Sequence, residues 1–353
     1  MRHSTNMQRI IQALSSGQGD PISNVLARRF LILLGMAVFI ITVAVELFLF
    51  QQHRQVFEKR FEIHMDEIQN GFKVLLDKNT ASMTVTLNSI VNDDAVKKAL
   101  KDNDRARLLS DWRDSFIHMK KVNKITHLYF IDKYRVCLLR VHKPEKHGDL
   151  INRFTALEAE WTRKPSSGIE VGPMGTFTLR VVQPVFEGKE LVGYVELGKE
   201  IEDVVSSLHT YMHNEMAVVI HKEYLNRKTW EEGMNMLNKA VYWDELPYDV
   251  VIYASQGRLP GTIAATMNQQ YSDHQRDHEV LYRSVPWRVS VLPVKDVSGK
   301  EVGGLIIMNN IEAEKSELNR FAIRNILVGI VFLGLFFTIV GLLLRRIDRS
   351  EKK

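Results

Sequence analysis

The sequence predicts an α+β protein in which a long N-terminal stalk helix leads into two tandem lobes built on antiparallel sheets, with a membrane-spanning helix on either side. Three observations carry that expectation. Two long apolar runs lie near the two ends of the chain, a 3.6-residue apolar period follows the first run, and two successive blocks of short strand-like runs share one order. The length of 353 residues is enough for two ordinary domains, and a 45% hydrophobic, 25% charged composition is that of a folded chain rather than a disordered one.

The spans come first. Phe30 to Phe50 is 21 residues with Glu46 as its single charge, and at about 1.5 Å per residue it reaches about 31 Å, the thickness of a hydrocarbon core. Ile326 to Leu344 supplies 19 residues without a charge. Glu46 lies four residues from the outer end of its span, where a carboxylate reaches the interface, so it reads as an anchor in preference to a relay. The first run is too long for a cleaved signal peptide, and no small-x-small site follows it. Both flanks are basic. Residues 1–29 hold four arginines against one aspartate, and residues 345–353 hold five basic residues against two acidic ones, so each tail is +3. The positive-inside rule then places both termini in the cytoplasm, as a two-pass membrane protein with residues 51–325 outside it.

The same arithmetic excludes a nucleic-acid partner. The formal charge of +5 belongs to the tails, and the remaining residues sum to −1. Cys137 is the only cysteine, so an intrachain disulfide framework and a cysteine-based zinc site are both excluded.

After the first span, Phe57, Phe61, Ile68, Phe72, Leu75, Met83, Leu87 and Ile90 recur at helical spacing among charged residues, predicting a stalk over 51–100 that continues the membrane helix. A second helix is expected from Arg105 to Lys121, with Leu108, Leu109, Trp112, Phe116 and Met119 on one face. Strands follow at Thr126–Asp132 and Arg135–His142, then at Gly175–Pro184 and Glu190–Leu197 around a turn at Gly188. Glu200–Tyr211 reads as helix. The order then repeats, with strands at Glu215–His221 and Tyr248–Tyr253 separated by a helical stretch near Lys222–Lys239. Further strands are expected at Val280–Ser284, Trp287–Pro293 and Glu301–Asn309, the last two joined by a turn at Gly299. The segment GKELVGYV from Gly188 lies over GKEVGGLI from Gly299 at a constant offset of 111, an echo that points to duplicated modules.

With these residues in hand, the chain resembles the double Cache sensor domain, the PAS-like extracytoplasmic input module of bacterial chemoreceptors, sensor histidine kinases and diguanylate cyclases. The most specific stretch is RVHKPEKHGDLINRFTALEAE, Arg140 to Glu160, followed by Gly168 to Val204; it is similar to a subfamily with an Arg-Val-His, then Gly-Asp, then Arg pattern in its membrane-distal lobe. The resemblance covers about residues 51–320 and, joined to the spans and tails read above, gives a cytoplasmic tail over 1–29, a span over 30–50, the stalk over 51–100 and a distal lobe over 101–199. A linker helix over 200–214, a proximal lobe over 215–320, a second span over 326–344 and a tail over 345–353 complete it. It implies a two-component or chemotaxis receptor that binds a small extracytoplasmic ligand and moves one membrane helix against the other. Nine residues follow the second span, so either a cytoplasmic or membrane partner is expected to supply the signalling output or the chain is a shortened relative of a longer receptor. The stalk is expected to form a homodimer.

The loop after the strand RVCLLRVH concentrates Arg140, His142, Lys143, His147, Asp149 and Arg153 in 14 positions. Alternation puts Arg140 and His142 on one face. Arginine grips a carboxylate bidentately, lysine acts as a point charge and Asp149 meets an amine, so the loop suits a small organic ligand with an anionic group. Trp112 and Tyr129 are candidate pocket walls and Arg180 an additional cation; core packing competes for the aromatics. Two bland readings stand beside this: a solvated loop, or a local pair between Asp149 and Arg153 at i and i+4. His142, His147 and Asp149 fit no compact metal motif, whereas Asp273, His274, Asp277 and His278 would form a metal face only on a helix. No metal and no other cofactor is expected. The chain lacks GxSxG, HExxH and a phosphate-cradling glycine loop, so no catalytic residue is assigned and the protein is not expected to be an enzyme. The alternatives are an accessory interaction subunit without its own ligand and a membrane-anchored periplasmic hydrolase.

Overall fold

The computed structural model describes residue 11 and residues 21–172, 175–236, 242–273 and 277–351. They fall into two compact units, residues 64–311 and the flanking segments 1–63 and 312–353.

The described residues of the flanking unit include two long helices, the first part of α1 (Pro21–Val91) and α8 (Glu312–Glu351). Ala27 and Leu31 pack on Val340, a Cβ at Gly35 would lie 3.1 Å from the Phe337 ring, and His53 stacks on Phe321 with centroids 4.2 Å apart. As the residue number rises in one helix it falls in the other, so the pair is antiparallel. The most apolar window of each helix is only 11% buried, so nearly all of that surface faces outward, as lipid contact requires. Glu46 turns toward the companion helix: its Oε1 lies 3.1 Å from where a Cβ at Gly329 would stand, and the glycine makes room for the carboxylate.

The central unit begins with the last part of α1. Ile68, Met83, Leu87 and Ile90 of the expected stripe are buried, and Phe72 and Leu75 are half-buried against the same core. The helix stops at Val91, short of the stalk expected to reach residue 100. Asp93 ends it, because its side chain accepts from the Ala95 N–H at 2.8 Å and starts a new helix, α2 (Asp94–Lys101). Asp104 caps α3 (Arg105–Asn123) in the same way, accepting from Arg107 N–H at 3.0 Å.

The first lobe contains β1 (His127–Asp132), β2 (Cys137–Arg140), α4 (Phe154–Thr162), β3 (Ser166–Val171), β4 (Phe177–Glu187) and β5 (Glu190–Glu200). After α5 (Ile201–Met212), the second lobe contains β6 (Glu215–His221), α6 (Arg227–Met236), β7 (Asp249–Ala254), α7 (Gly261–Asp273), β8 (Asp277–Tyr282), β9 (Val285–Lys295) and β10 (Glu301–Asn310). The sheet orders are β2-β1-β5-β4-β3 and β7-β6-β10-β9-β8, so adding five to each strand number of the first gives the second. All pairings are antiparallel. The aligned turns carry Gly188 at φ +62° and Gly299 at φ +86°, left-handed positions that glycine occupies without strain.

Several elements depart from the sequence expectation. The helix expected over Lys222–Lys239 begins as a 3-10 turn at Lys222–Tyr224, because Asn226 accepts from the Thr229 N–H and starts α6 there; residues 237–241 lie outside the described residues. β3, α4 and α7 are additional elements that the periodicity did not reveal.

One core joins the lobes. Leu128, Phe130, Leu179, Val181, Val195 and Leu197 of the first sheet belong to the same buried cluster as Met216, Val218, Ile220, Leu305 and Ile307 of the second, with α1 and α5 contributing to it. A second contact lies at the edge of the first sheet, where Val297 in the β9–β10 turn donates its N–H to Ile169 O of β3 at 2.9 Å.

Candidate ligand-binding site

The strand register builds the site. Across the first sheet Arg140 stands opposite Tyr129 and Tyr129 opposite Glu196; in the next row His127 stands opposite Gly198 and Gly198 opposite Arg180. Because side chains alternate, these residues share one face, while Leu128, Phe130, Leu179 and Leu197 point to the common core. Gly198 sits between His127 and Arg180, and a Cβ there would lie 3.0 Å from both His127 Cβ and Thr178 Cγ2. The face is covered by α4 and its preceding loop, with Ile151, Ala156 and Ala159 packed against Tyr129, Val182 and Tyr194.

Three guanidinium groups meet there. Arg140 grips Asp149 bidentately, Nη1 to Oδ1 and Nη2 to Oδ2 both at 2.7 Å, and Nη1 also donates to Lys146 O. Arg153 donates to Glu196 Oε2 at 2.8 Å and Arg180 to Glu196 Oε1 at 2.6 Å, so one fully buried carboxylate serves two cations. Arg180 also lies 3.5 Å from Glu170, whose carboxylate accepts the N–H and the hydroxyl of Thr155. The Tyr129 ring has the guanidinium carbons of Arg140 and Arg153 each 5.0 Å from its centroid. His142 lies 4.6 Å from His127 and 5.2 Å from Tyr129, centroid to centroid.

The charges explain the titration. Burial, reinforced by the cations of Arg140, Arg180, Lys120 and Lys143, pushes His142 down to about 3. Burial and Arg180 likewise hold His127 well below the usual imidazole range. Burial raises Glu170 against the pull of Thr155 N–H and Arg180. The hydrogen bond from Arg140 holds Asp149 below the usual carboxylate range. With both imidazoles neutral, the three arginines are matched by Asp149, Glu170 and Glu196. Two buried nitrogens nevertheless lack a hydrogen-bond partner, Nε of Arg153 and Nδ1 of His142, and Nε of Arg180 has only Glu170 Oε2 at 3.5 Å. An unmatched buried donor costs about 1–3 kcal/mol, so this spot favours a polar guest. Two clefts, of about 480 and 340 Å³, lie elsewhere, between the apolar helices and between α1 and β9–β10.

Of the residues named from sequence, Arg140, His142, Asp149, Arg153, Tyr129 and Arg180 come together. Asp149 pairs with Arg140 rather than with Arg153. Lys143 is near enough to depress His142, whereas His147 is exposed in the loop. Trp112 packs on Phe130 in the common core, 6.3 Å between centroids, on the opposite face of the sheet. Glu196, Glu170 and His127 were not foreseen. A signal was present for His127, which shares a strand face with Tyr129 at i and i+2. The helix that a metal face in the second lobe would have needed does not form, because α7 ends at Asp273 and Asp277 and His278 lie on β8, with Asp277 paired to Arg288; His274 lies outside the described residues.

Residues 64–314 match the family model described as the double sensory domain of two-component sensor kinase, a double Cache model. The chain belongs to that family. Its match takes in both lobes and the last part of α1, and two apolar helices flank it. Solved structures similar to the chain include the sensor domain of the Vibrio cholerae histidine kinase DctB, at 13% identity and TM-score 0.41, covering 72% of this chain and 98% of that one. The periplasmic domain of Vibrio cholerae LuxQ is 14% identical with TM-score 0.41, covering 69% and 98%. The ligand-binding domain of the Campylobacter jejuni chemoreceptor Tlp3, solved in complex with L-valine, is 10% identical with TM-score 0.36, covering 73% and 95%. Nothing matches among curated proteins.

Proposed function

We propose that this double Cache protein is a two-pass receptor of the bacterial inner membrane whose first lobe binds a small organic ligand with an anionic group. Both termini lie in the cytoplasm and residues 51–325 outside it. The observation that carries the reading is the trio of arginines gathered over one face of the first sheet, Arg180 buried and Arg140 and Arg153 half-buried, with no hydrogen-bond partner for Nε of Arg153 or Nδ1 of His142. The exchangeable pair is Arg140 with Asp149: the arginine side chain is 12% exposed and the aspartate 57%, so the carboxylate stands at the mouth of the site. A ligand carboxylate takes over the bidentate grip of Arg140, and Asp149, released, meets a cationic or hydrogen-bond-donating group on the same ligand. The cluster stays neutral only if the ligand brings such a group, because each resident cation already has its carboxylate.

Binding at this face pulls the loop and α4 together with the sheet, and the ligand favours that arrangement by its difference in affinity for the two states. The displacement passes to the membrane helices and to a signalling partner. A thermal-shift screen of small carboxylates and amino-carboxylates on the full chain in detergent tests this. A ligand at a hundred times its Kd stabilises by about 2.7 kcal/mol. The shift is expected in the wild type and lost in Arg140→Ala and in Arg153→Ala. Ligands whose shift survives both substitutions would remove the site.

A further inference from the structure

α4 has its residue sizes reversed. Toward the sheet it buries Thr155, Ala156 and Ala159, while Phe154, Leu157 and Trp161 face outward at i, i+3 and i+7, 44%, 37% and 88% exposed. Leu150, in the loop just before, adds another apolar side chain at 56% exposure. A helix that only roofed the ligand site would place its large apolar side chains inward and polar ones outward. A contiguous exposed row of this kind marks an interaction surface.

The charges around the row say what covers it. Arg163 and Lys164 follow the helix directly and are exposed; Arg163 bonds to the carbonyl of exposed Lys189, and its guanidinium lies 5.0 Å from the Phe186 ring. The acidic residues of the helix are already engaged, Glu158 with the Ser166 hydroxyl and Glu160 with Arg135. Glu190, beside Lys189, acts on Lys101. A second copy of the chain docked in parallel register on this row would bring a basic rim to a basic rim, and like charges across an interface oppose it.

We propose that the outer face of α4 docks a different protein that is acidic at the contact, seating an apolar anchor on Phe154, Leu157 and Trp161 and carboxylates on Arg163 and Lys164. The inner side of the same segment holds the site, Arg153 through Glu196 and Thr155 through Glu170. The docked protein and the small ligand therefore act on one helix from opposite sides.

Incorporation of p-benzoylphenylalanine at Leu157 in the full chain, followed by irradiation of living cells, tests the proposal. The expected product is one adduct with a protein of net negative charge, identified by mass spectrometry. Its yield should fall at least fivefold in Arg163→Glu/Lys164→Glu and fall in the same direction in Lys164→Glu alone, which changes an exposed side chain beyond the helix. Absence of a protein adduct, an adduct of two copies of this chain, or a yield indifferent to both charge reversals overturns it. So does quenching by brominated phosphatidylglycerol, in nanodiscs, of the fluorescence that Trp161→Phe removes, because that assigns the face to lipid.

Discussion

Arg180 is 1% exposed, and such a charge persists in a folded protein only with a partner at hand. Glu196 supplies it, and by serving Arg153 as well it ties the segment before α4 to the middle of the sheet. Burial, reinforced by the cationic surroundings, disfavours the charged form of both imidazoles. His142 titrates near 3 in the folded chain and at about 6.5 in the unfolded one, so on acidification the unfolded state takes up a proton that the folded state refuses. Stability is therefore intact above about pH 6.5 and falls as the pH drops toward 3. At pH 5 this one imidazole accounts for a loss of about 2 kcal/mol. His142→Gln should lose that much less between pH 7 and pH 5 in urea unfolding; an equal loss in both proteins would show that His142 is not the titrating group. The arginine and histidine members were legible because they crowd a short loop. Glu196 was not, since a carboxylate alternating with Val195 and Leu197 reads as the solvent side of a strand until a helix is known to cover it.

Elements were legible where their signals were local. The turns at Gly188 and Gly299 and the alternating strands depend on a few adjacent residues, whereas the stalk expected to reach residue 100 breaks at the Asp93 cap because the apolar period runs on past it. β3 and α7 were hidden for a shared reason: Ser166-Ser167-Gly168 has little strand propensity, and the alanines and threonines of α7 blur its period, so tertiary contacts set both. β3 is held from one side by β4 and touched from the other by the β9–β10 turn. A Cβ on Gly168 would lie 2.5 Å from Val297 Cβ and 3.3 Å from Val297 Cα, so the missing side chain is what allows the Val297 N–H to reach Ile169 O. Glu170, one residue further, carries the contact to Arg180. Gly168→Val should therefore separate the turn from the strand. Amide exchange at Val297 should accelerate at least tenfold, whereas Ser167→Val, at an exposed neighbour, should leave it unchanged. Equal protection in the glycine variant would mean that the two elements do not depend on this contact.

At the scale of the whole molecule the two long apolar helices and the repeated strand order were legible, because both rest on pattern along the chain. The shared core was not, because it is made by residues far apart in sequence that meet on α1 and α5. Its consequence is thermodynamic. A double sensor with two independent cores would open lobe by lobe, whereas a single buried cluster running from Leu197 of β5 to Ile307 of β10 makes the lobes one cooperative unit. Leu208 of α5 tests which holds. It is fully buried in that cluster, and one of its methyl groups lies 3.1 Å from where a Cβ at Gly71 would stand, so it joins the linker helix to the stalk. Leu208→Ala removes about 2–5 kcal/mol by lost burial and the cavity left behind. Native-state hydrogen exchange of the full chain should show the opening free energies at Leu197 and at Ile307 falling together by that amount. A fall confined to one lobe would mean that each lobe is stable by itself, and a ligand bound in the first would then have no shared core through which to reach the second.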